Sequence, residues 1–225
     1  MKERLAKVIA NRGLASRRQA EVLISAGKVK VNGVLVREVV TLVDANDEIV
    51  VAGQKAELVK KVYYLLNKPV GYICSKSDPH NPQNVMSLVP KQPAVYPVGR
   101  LDKDSQGLLL LTNDGDLTFQ LTHPKFHFSK TYLVVVDKDV DAKVLARLKN
   151  GVHLEEGLAK ADKVVLKNKR SLEIVLHQGW NRQIRRMLEL CNLKVLSLTR
   201  ISEGKMNIKN LPLGKFKQIN KTDIV

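Results

Sequence analysis

The middle of the chain reads GRLDKDSQG over residues 99–107, LLLLT over residues 108–112 and NDG over residues 113–115. The apolar run is long enough for one strand that is buried on both faces, and too short for a helix that is stable alone. The three residues after it have the turn chemistry that ends such a strand. Asp102 is therefore predicted to lie on a loop held by a rigid strand, a common way to present a catalytic group. By itself, an Arg-x-Asp pair on a loop is more often a pair of solvated surface charges.

Short apolar runs surround this central strand and are mixed with a few helical patterns. Strand and helix do not alternate regularly, so the pattern favours an α+β fold with a mixed, mostly antiparallel sheet and flanking helices. Strands are predicted at residues 62–66, 108–112, 132–136, 172–176 and 195–198, and helices at residues 116–121, 141–150 and 182–190.

Residues 1–58 have the pattern of a small separate domain, and residues 59–225 form the larger one. Ser16 begins a helix with a capping-box pattern, which satisfies backbone N–H groups of the first turn. The dipeptide Asn32-Gly33 lies between two short alternating runs. It predicts a tight hairpin, because both residues accept a positive φ.

The charge balance points to a polyanionic partner. Lys and Arg number 38 against 22 Asp and Glu, which gives a net charge of +16. A globular and strongly basic chain most often binds nucleic acid. An anionic membrane is the second alternative, but no long basic amphipathic helix supports it. Aromatic residues make up only 4% of the chain, so RNA binding through rows of stacked aromatic side chains is not expected.

The sequence contains no recognisable metal or nucleotide motif. Cys74 and Cys191 are far apart and outside Cys-x-x-Cys spacing, so we expect free thiols in a reducing compartment. The histidines, including His80, are scattered, and no P-loop or Gly-x-Gly-x-x-Gly is present. No apolar run reaches the length of a membrane span or of a signal core. We therefore expect a cofactor-free, metal-free cytoplasmic protein that has no membrane partner and is a monomer.

The central stretch resembles the signature of the pseudouridine synthases, in the branch that includes RsuA, RluB, RluE and RluF. The resemblance covers nearly the whole chain. It includes Ser75, Asp78 and Pro79, which follow the segment NKPVG at residues 67–71. The further segments that agree in order and rough spacing are LASRRQAE at residues 14–21 with GKVKVNG at residues 27–33, NKPVG at residues 67–71, KTYLVVV at residues 130–136 and GWNRQIRRML at residues 179–188.

The resemblance implies an enzyme that isomerises a uridine of RNA to pseudouridine. It implies that Asp102 is the catalytic carboxylate and that Tyr132 stacks on the flipped base and exchanges a proton. It further implies that Arg185 pairs with Asp102 and keeps that carboxylate ionised. Arg100 is suited to fill the space that the uridine leaves and to hold nearby phosphate. Trp180 departs from the family pattern, and we interpret it as a packing residue.

The first domain resembles the alpha-L RNA-binding module, named from a ribosomal protein of the small subunit. This resemblance implies a clamp that gains affinity from phosphates rather than from reading bases. On charge alone, a solvated helix face remains an alternative explanation for the same cations. The residues expected to contact RNA are Arg12, Arg17, Arg18, Lys28 and Lys30 in this module, and Arg100, Arg182 and Arg186 in the larger domain.

The RNA substrate stays open between large-subunit ribosomal RNA, small-subunit ribosomal RNA and transfer RNA. Within the resemblance, residues 103–107 and 181–187 look more like the large-subunit branch. An apolar residue beneath the target base is expected near residues 198–201. Two rival functions remain, a non-catalytic ribosome-assembly factor and a metal-assisted nuclease. A pure binder has no use for a carboxylate in a phosphate-lined cleft, and a nuclease needs clustered acidic or histidine ligands.

Overall fold

The computed structural model describes residues 2–75 and 83–225, and the chain divides into two compact units. The first unit is Met1–Lys61 with the short segments Gln92–Ala94 and Asn113–Gly115, and the second contains the rest. The predicted domain boundary after residue 58 stays a prediction. Asp78, Pro79 and His80 lie outside the described residues.

The first unit consists of two short helices and small antiparallel sheets. The predicted capping box at Ser16 is present, with the hydroxyl accepting from the Gln19 backbone N–H at 3.3 Å. Asn32 and Gly33 have φ values of 50° and 81°, as the predicted hairpin requires. The elements are β1 (Glu3–Arg4), α1 (Leu5–Asn11), α2 (Arg17–Ser25), β2 (Val29–Val31), β3 (Val34–Val36), β4 (Leu42–Val43), β5 (Ile49–Val51) and β6 (Gln54–Lys55).

Arg12 is part of the interior of the first unit. Arg12 directly follows α1 in the chain and is only 9% exposed. Nη1 donates to the carbonyl oxygen of Ala56 at 3.0 Å, and Nη2 donates to that of Ala45 at 3.2 Å. The expectation that Arg12 contacts RNA phosphate is therefore corrected, because its guanidinium is used to satisfy buried backbone carbonyls.

The second unit has the mixed sheet and flanking helices that the sequence predicts, so the α+β fold class is confirmed. Short 3₁₀ helices cover Val85–Leu88, Pro124–Phe126 and Lys221–Asp223. The strands and helices are β7 (Tyr63–Lys68), β8 (Tyr96–Pro97), β9 (Gln106–Thr112), α3 (Gly115–Thr122), β10 (Lys130–Val136), α4 (Ala142–Asn150), β11 (Val152–Leu154), β12 (Gly157–Ala159), β13 (Lys163–Asn168), β14 (Ser171–Leu176), α5 (Gln183–Glu189), β15 (Val195–Glu203), β16 (Met206–Asn207) and β17 (Phe216–Gln218).

The main sheet of the second unit has the order β13-β14-β10-β15-β9-β7-β17, with β16 beside β15 and β8 beside β9. Among the described strands, β9 and β15 are parallel neighbours, whereas the other pairs of this sheet are antiparallel. At this junction Gly107 pairs with Arg200. The parallel pair therefore brings the loop that precedes β9 next to the second half of β15.

The leucines of β9 confirm the prediction of a strand buried on both faces, since residues 108–111 have no exposed surface. Alternate side chains point to opposite faces of a strand. Leu108 and Leu110 accordingly pack in one apolar cluster with Leu117 of α3, and Leu109 and Leu111 pack in another on the opposite face. The strand is thus anchored from both sides. Within the described part of the chain, no helix is long and apolar enough to cross a membrane.

Candidate active site

A cavity of about 310 Å³ lies in the second unit, at the edge where the loop before β9 meets β10 and β15. This volume is at the lower end of the range for small-molecule sites and is suited to a single flipped nucleotide rather than a duplex. The residues of its wall that bear on the chemistry are Arg100, Asp102, Tyr132, Arg182, Leu198, Arg200 and Glu203.

Asp102 lies on the wall of this cavity, and its side chain is 32% exposed. Its Oδ2 atom is 3.9 Å from Nη1 of Arg182, which is its ion-pair partner among the described residues. The backbone N–H of Ser105 donates to the Asp102 carbonyl at 3.1 Å, which closes a tight turn. The carboxylate is therefore accessible from the cavity while its backbone is held.

Lys68 binds the backbone of the loop that contains Asp102. It comes at the end of β7, is fully buried, and donates from Nζ to the carbonyl oxygens of Asp102 at 2.9 Å and Ser105 at 2.7 Å. A third carbonyl, that of Pro69, lies at 3.3 Å. Burial lowers the pKa of the Lys68 ammonium, and the Asp102 and Asp104 carboxylates oppose that shift. This clamp is visible only in the structure.

Arg185 does not pair with Asp102, so the predicted ion pair is wrong. Its Nη2 donates to the Asp104 carbonyl at 2.9 Å and lies 3.4 Å from Asp104 Oδ2. Arg182 precedes α5 with a left-handed φ of 47° and makes a two-pronged contact with Asp104 at 3.0 and 2.9 Å. This conformation puts Arg182 on the cavity wall, whereas Arg185, one helical turn later, braces the loop through Asp104.

The inner wall of the cavity is formed by paired residues of β10 and β15. Tyr132 lies opposite Arg200, whose side chain is 2% exposed and donates from Nε to the Leu108 carbonyl at 2.8 Å. Burial raises the pKa of the Tyr132 phenol, while the Arg200 guanidinium opposes that rise. The phenol therefore stays protonated at neutral pH. A protonated phenol can stack on a base and also donate a hydrogen bond.

Arg200 and Glu203 are site residues that the sequence-based prediction missed. Both are 2% exposed, and Arg200 Nη2 lies 3.5 Å from Glu203 Oε2. The one available signal was an arginine followed three residues later by a glutamate inside an otherwise strand-like segment. Charged residues are rarely buried unless they are paired. An arginine and a glutamate that can pair are therefore compatible with a buried strand, so this spacing indicates that β15 continues past its apolar residues.

The remaining residues that are expected to contact RNA differ in whether their charged groups are free to reach it. Arg100 is exposed at the cavity wall, and Arg17, Arg18, Lys28 and Lys30 are exposed on the first unit. By contrast, both terminal nitrogens of the Arg186 guanidinium are bound to Glu156, at 2.9 and 2.7 Å.

Two neighbouring apolar side chains also line the cavity. Trp180 packs against the large apolar cluster of the second unit, in agreement with its interpretation as a packing residue. Leu198 is the apolar side chain on the wall from the region where a residue beneath the base is expected. Among the described residues, no group of three or more His, Cys, Asp or Glu side chains could hold a metal ion. The expectation of a cofactor-free site stays a prediction.

Comparisons with known proteins show which family the chain belongs to. The sequence model of the RNA pseudouridylate synthase family matches residues 62–190, and that of the S4 domain matches residues 3–49. A ribosomal large subunit pseudouridine synthase B of Bacillus subtilis is 42% identical, and the alignment covers 99% of this chain and 94% of the relative. An uncharacterized RNA pseudouridine synthase of Aquifex aeolicus is 38% identical, with 100% and 93% covered.

A solved structure shows the same relationship in three dimensions. The crystal structure of a pseudouridylate synthase has a TM-score of 0.73 and 29% identity to this chain, and the match covers 98% of this chain and 97% of the other. Sequence and fold thus agree over essentially the full length. The chain belongs to the RNA pseudouridine synthase family, and the predicted isomerase activity on RNA is confirmed.

Proposed function

We propose that this protein isomerises a uridine of large-subunit ribosomal RNA to pseudouridine in the cytoplasm, with Asp102 as the catalytic carboxylate. The choice of RNA is supported by the Bacillus subtilis relative, whose name specifies the large ribosomal subunit. The S4 domain and the net charge of +16 support a large polyanionic substrate. Two free cysteines fit a reducing compartment.

The observation that carries the proposal is the contrast between the two carboxylates of the cavity wall. Glu203 is 2% exposed and lies 3.5 Å from Arg200 and 3.6 Å from Lys130, so its charge is neutralised and shielded. Asp102 is 32% exposed and faces the cavity, and among the residues that the structure describes its one ion-pair partner is Arg182, at 3.9 Å. Asp102 is therefore the carboxylate that a substrate in the cavity meets.

The reaction follows from this placement. The uridine leaves its stack and enters the cavity, while Arg100 fills the vacated space and meets nearby phosphate. Asp102 either attacks the nucleoside or removes a proton from the sugar, and the N1–C1′ bond breaks. The base turns and a C5–C1′ bond forms, while the covalent bond to Asp102 breaks or Asp102 returns its proton to the sugar. The C5 proton then leaves to solvent and N1 takes up a proton. Tyr132 stacks on the base and serves the proton transfers.

Arg182 and Arg185 have separate tasks in this proposal. Arg182 supplies positive charge beside Asp102 and reaches the cavity, where it meets the RNA backbone. Arg185 acts as a positioning residue, because it holds the loop through Asp104 and Ser105 rather than through contact with substrate. Lys68 holds the same loop through the carbonyl oxygens of Asp102 and Ser105.

The decisive experiment is tritium release from large-subunit ribosomal RNA labelled at uridine C5. We expect release by the wild type and a loss of roughly a thousandfold or more in Asp102→Asn, with RNA binding retained. Asp139→Asn is the matched control, since Asp139 is an exposed aspartate of the same unit with its own partner, Arg170. Equal release by the wild type and Asp102→Asn would refute the catalytic role of Asp102.

Parallel assays separate the alternatives. Tritium release from small-subunit ribosomal RNA or transfer RNA, without release from large-subunit RNA, would show that the proposed substrate is wrong. Binding without release from any of the three RNAs would favour the non-catalytic assembly factor. Strand cleavage that EDTA abolishes would favour the nuclease.

A further inference from the structure

An exposed aromatic cluster lies at the C-terminal end of α3, and we call Phe119, His123, Lys125 and Phe126 the α3 aromatic cluster. Phe119 is 51% exposed and Phe126 is 39% exposed. The ring centroids of Phe119 and His123 are 4.7 Å apart, and those of Phe119 and Phe126 are 6.0 Å apart. In a chain with only four phenylalanines, two of them thus stand together at the surface.

Packing of the fold does not account for these rings. The same helix already buries Leu117 and Leu121 on its other side, with 1% and 2% of their surface exposed. Leaving large apolar side chains in water forgoes the free energy of their burial, and clustered exposed apolar side chains often mark a binding surface. The cluster is therefore better explained by a ligand than by the core.

The cluster is adjacent along the chain to residues that line the active-site cavity. Leu121 and Thr122 of α3 line that cavity. Phe119 precedes Thr122 by three positions, and residues three apart on a helix are neighbours, at about 5–6 Å between Cβ atoms. His123 follows Thr122 directly. A nucleotide close in the RNA chain to one in the cavity is therefore within reach of the cluster.

The chemistry of the cluster fits a nucleobase. The two phenylalanine rings are at 88° to each other, so a flat base meets the face of one ring and the edge of the other. The Lys125 ammonium lies over the two rings, 5.2 and 4.7 Å from their centroids, so the cluster also carries a positive charge that can attract a phosphate. Aromatic faces combined with cations are how proteins hold unpaired RNA.

We propose that the α3 aromatic cluster is a stacking subsite for an unpaired base of the RNA substrate that flanks the target uridine. The cation over the rings favours RNA over an apolar protein surface as the occupant. This proposal rests on one part of the proposed function, namely that the protein binds RNA. It does not depend on which RNA is modified.

The test compares two probes that have the same charge and differ in their bases. One is a single-stranded oligouridylate of roughly 12 nucleotides, within the range of single-strand site sizes, and the other is an abasic strand of equal length. We expect the double variant Phe119→Leu with Phe126→Leu to bind the oligouridylate roughly fivefold or more weakly. Its affinity for the abasic strand should equal that of the wild type, because only base stacking is lost.

Two further variants separate stacking from mere loss of packing. The double variant Phe119→Tyr with Phe126→Tyr retains both ring faces and should keep wild-type affinity for the oligouridylate. Leu213→Ala is the matched control for an exposed apolar residue, since Leu213 is 53% exposed and does not line the cavity, and it should change neither affinity. Tritium release at saturating RNA should also be unchanged in Leu213→Ala.

Two results would overturn the subsite. One is equal affinity of the leucine variant and the wild type for the oligouridylate. That result would mean that the cluster binds a protein partner or has no ligand. The other is an equal loss on both probes, which would assign the effect to phosphate contacts. If the wild type releases no tritium from large-subunit RNA, the proposed substrate fails, while the two-probe comparison still decides the subsite.

Discussion

Two aspartates of one loop, Asp102 and Asp104, have different surroundings although they are only two residues apart. The Asp104 carboxylate accepts from both terminal nitrogens of Arg182 and lies 3.4 Å from Arg185. Within the described part of the chain, Asp102 forms an ion pair with Arg182 alone, at 3.9 Å. Asp104 thus absorbs most of the positive charge that α5 presents to the loop. Its task is to position the loop, and Asp102 keeps a face open to the cavity.

Asp104 also predicts a dependence of stability on pH. The hydrogen bond from Arg182 lowers the pKa of Asp104 below its ordinary value of 3.8. A carboxyl whose pKa is lower in the folded state contributes stability above its unfolded pKa, and this contribution is lost as the pH falls through the lowered folded pKa. Because the Asp104 side chain is 46% exposed, solvent screening limits the contribution to below about 1 kcal/mol.

We therefore expect Asp104→Asn to be less stable than the wild type at pH 7, by less than about 1 kcal/mol. The difference in the free energy of unfolding should shrink as the pH falls below 3.8 and through the lowered pKa. Urea unfolding at a series of pH values measures both quantities. A difference that stays constant down to the acid limit would show that the ion pair contributes no linked stability.

At the level of elements, the parallel contact of β9 with β15 decides where the active-site loop lies. Gly107 has a φ of 110°, and a Cβ there would be 2.3 Å from the carbonyl oxygen and 2.7 Å from the nitrogen of Arg200. Only glycine accepts both the conformation and the close approach of the two backbones. This one position lets the loop with Asp102 meet the strand with Arg200.

Gly107→Ala should therefore destabilise the fold by roughly 2–4 kcal/mol, through strain and the backbone clash. Gly179→Ala is the matched control, because a Cβ there meets nothing within 4 Å and its φ is not in the left-handed region. Thermal or urea unfolding of the two variants checks this. Equal stability of Gly107→Ala and the wild type would show that the junction tolerates a side chain.

The predicted strands and helices are present with shifted ends, and the reasons for the shifts are physical. β15 is predicted only to residue 198, where the apolar run stops, but it continues to Glu203. It continues because β10 on one side and β9 on the other supply hydrogen-bond partners. The hairpin of β11 and β12 and the mostly exposed strand β13 were not predicted, since their residues give little periodic burial signal.

For the molecule as a whole, the net charge of +16 predicts binding to RNA that weakens steeply with salt. Arg17 and Arg18 at the start of α2 are exposed and available, in contrast to Arg12. Each phosphate contact that is removed lowers the slope of log affinity against log salt by about 1. We therefore propose that the first unit contributes affinity and that the cavity of the second unit carries the chemistry.

Arg17→Ala combined with Arg18→Ala should weaken RNA binding and reduce the salt slope by about 1–2, while tritium release at saturating RNA persists. Binding titrations at several salt concentrations measure the slope. Arg170→Ala is the matched control, since Arg170 is an exposed arginine of the second unit that is paired with Asp139. An unchanged slope in the double variant would argue against a phosphate clamp on α2.

Local features of this protein follow from the order of residues alone. The capping box at Ser16, the hairpin at Asn32-Gly33 and the buried strand of residues 108–111 depend on short-range periodicity and on backbone preference. The loop with Asp102 follows from its place before that strand. These features involve residues close together in the chain, so their physics can be read without the fold.

The partners of long charged side chains were decided only by the tertiary structure. The sequence did not show that Arg182 rather than Arg185 contacts Asp102, that Arg12 is buried, or that Arg200 lies within the inner wall. Each of these contacts joins segments that are 33 to 92 residues apart in the chain. Such a contact depends on which strands become neighbours and in which register, and no local pattern of residues encodes that choice.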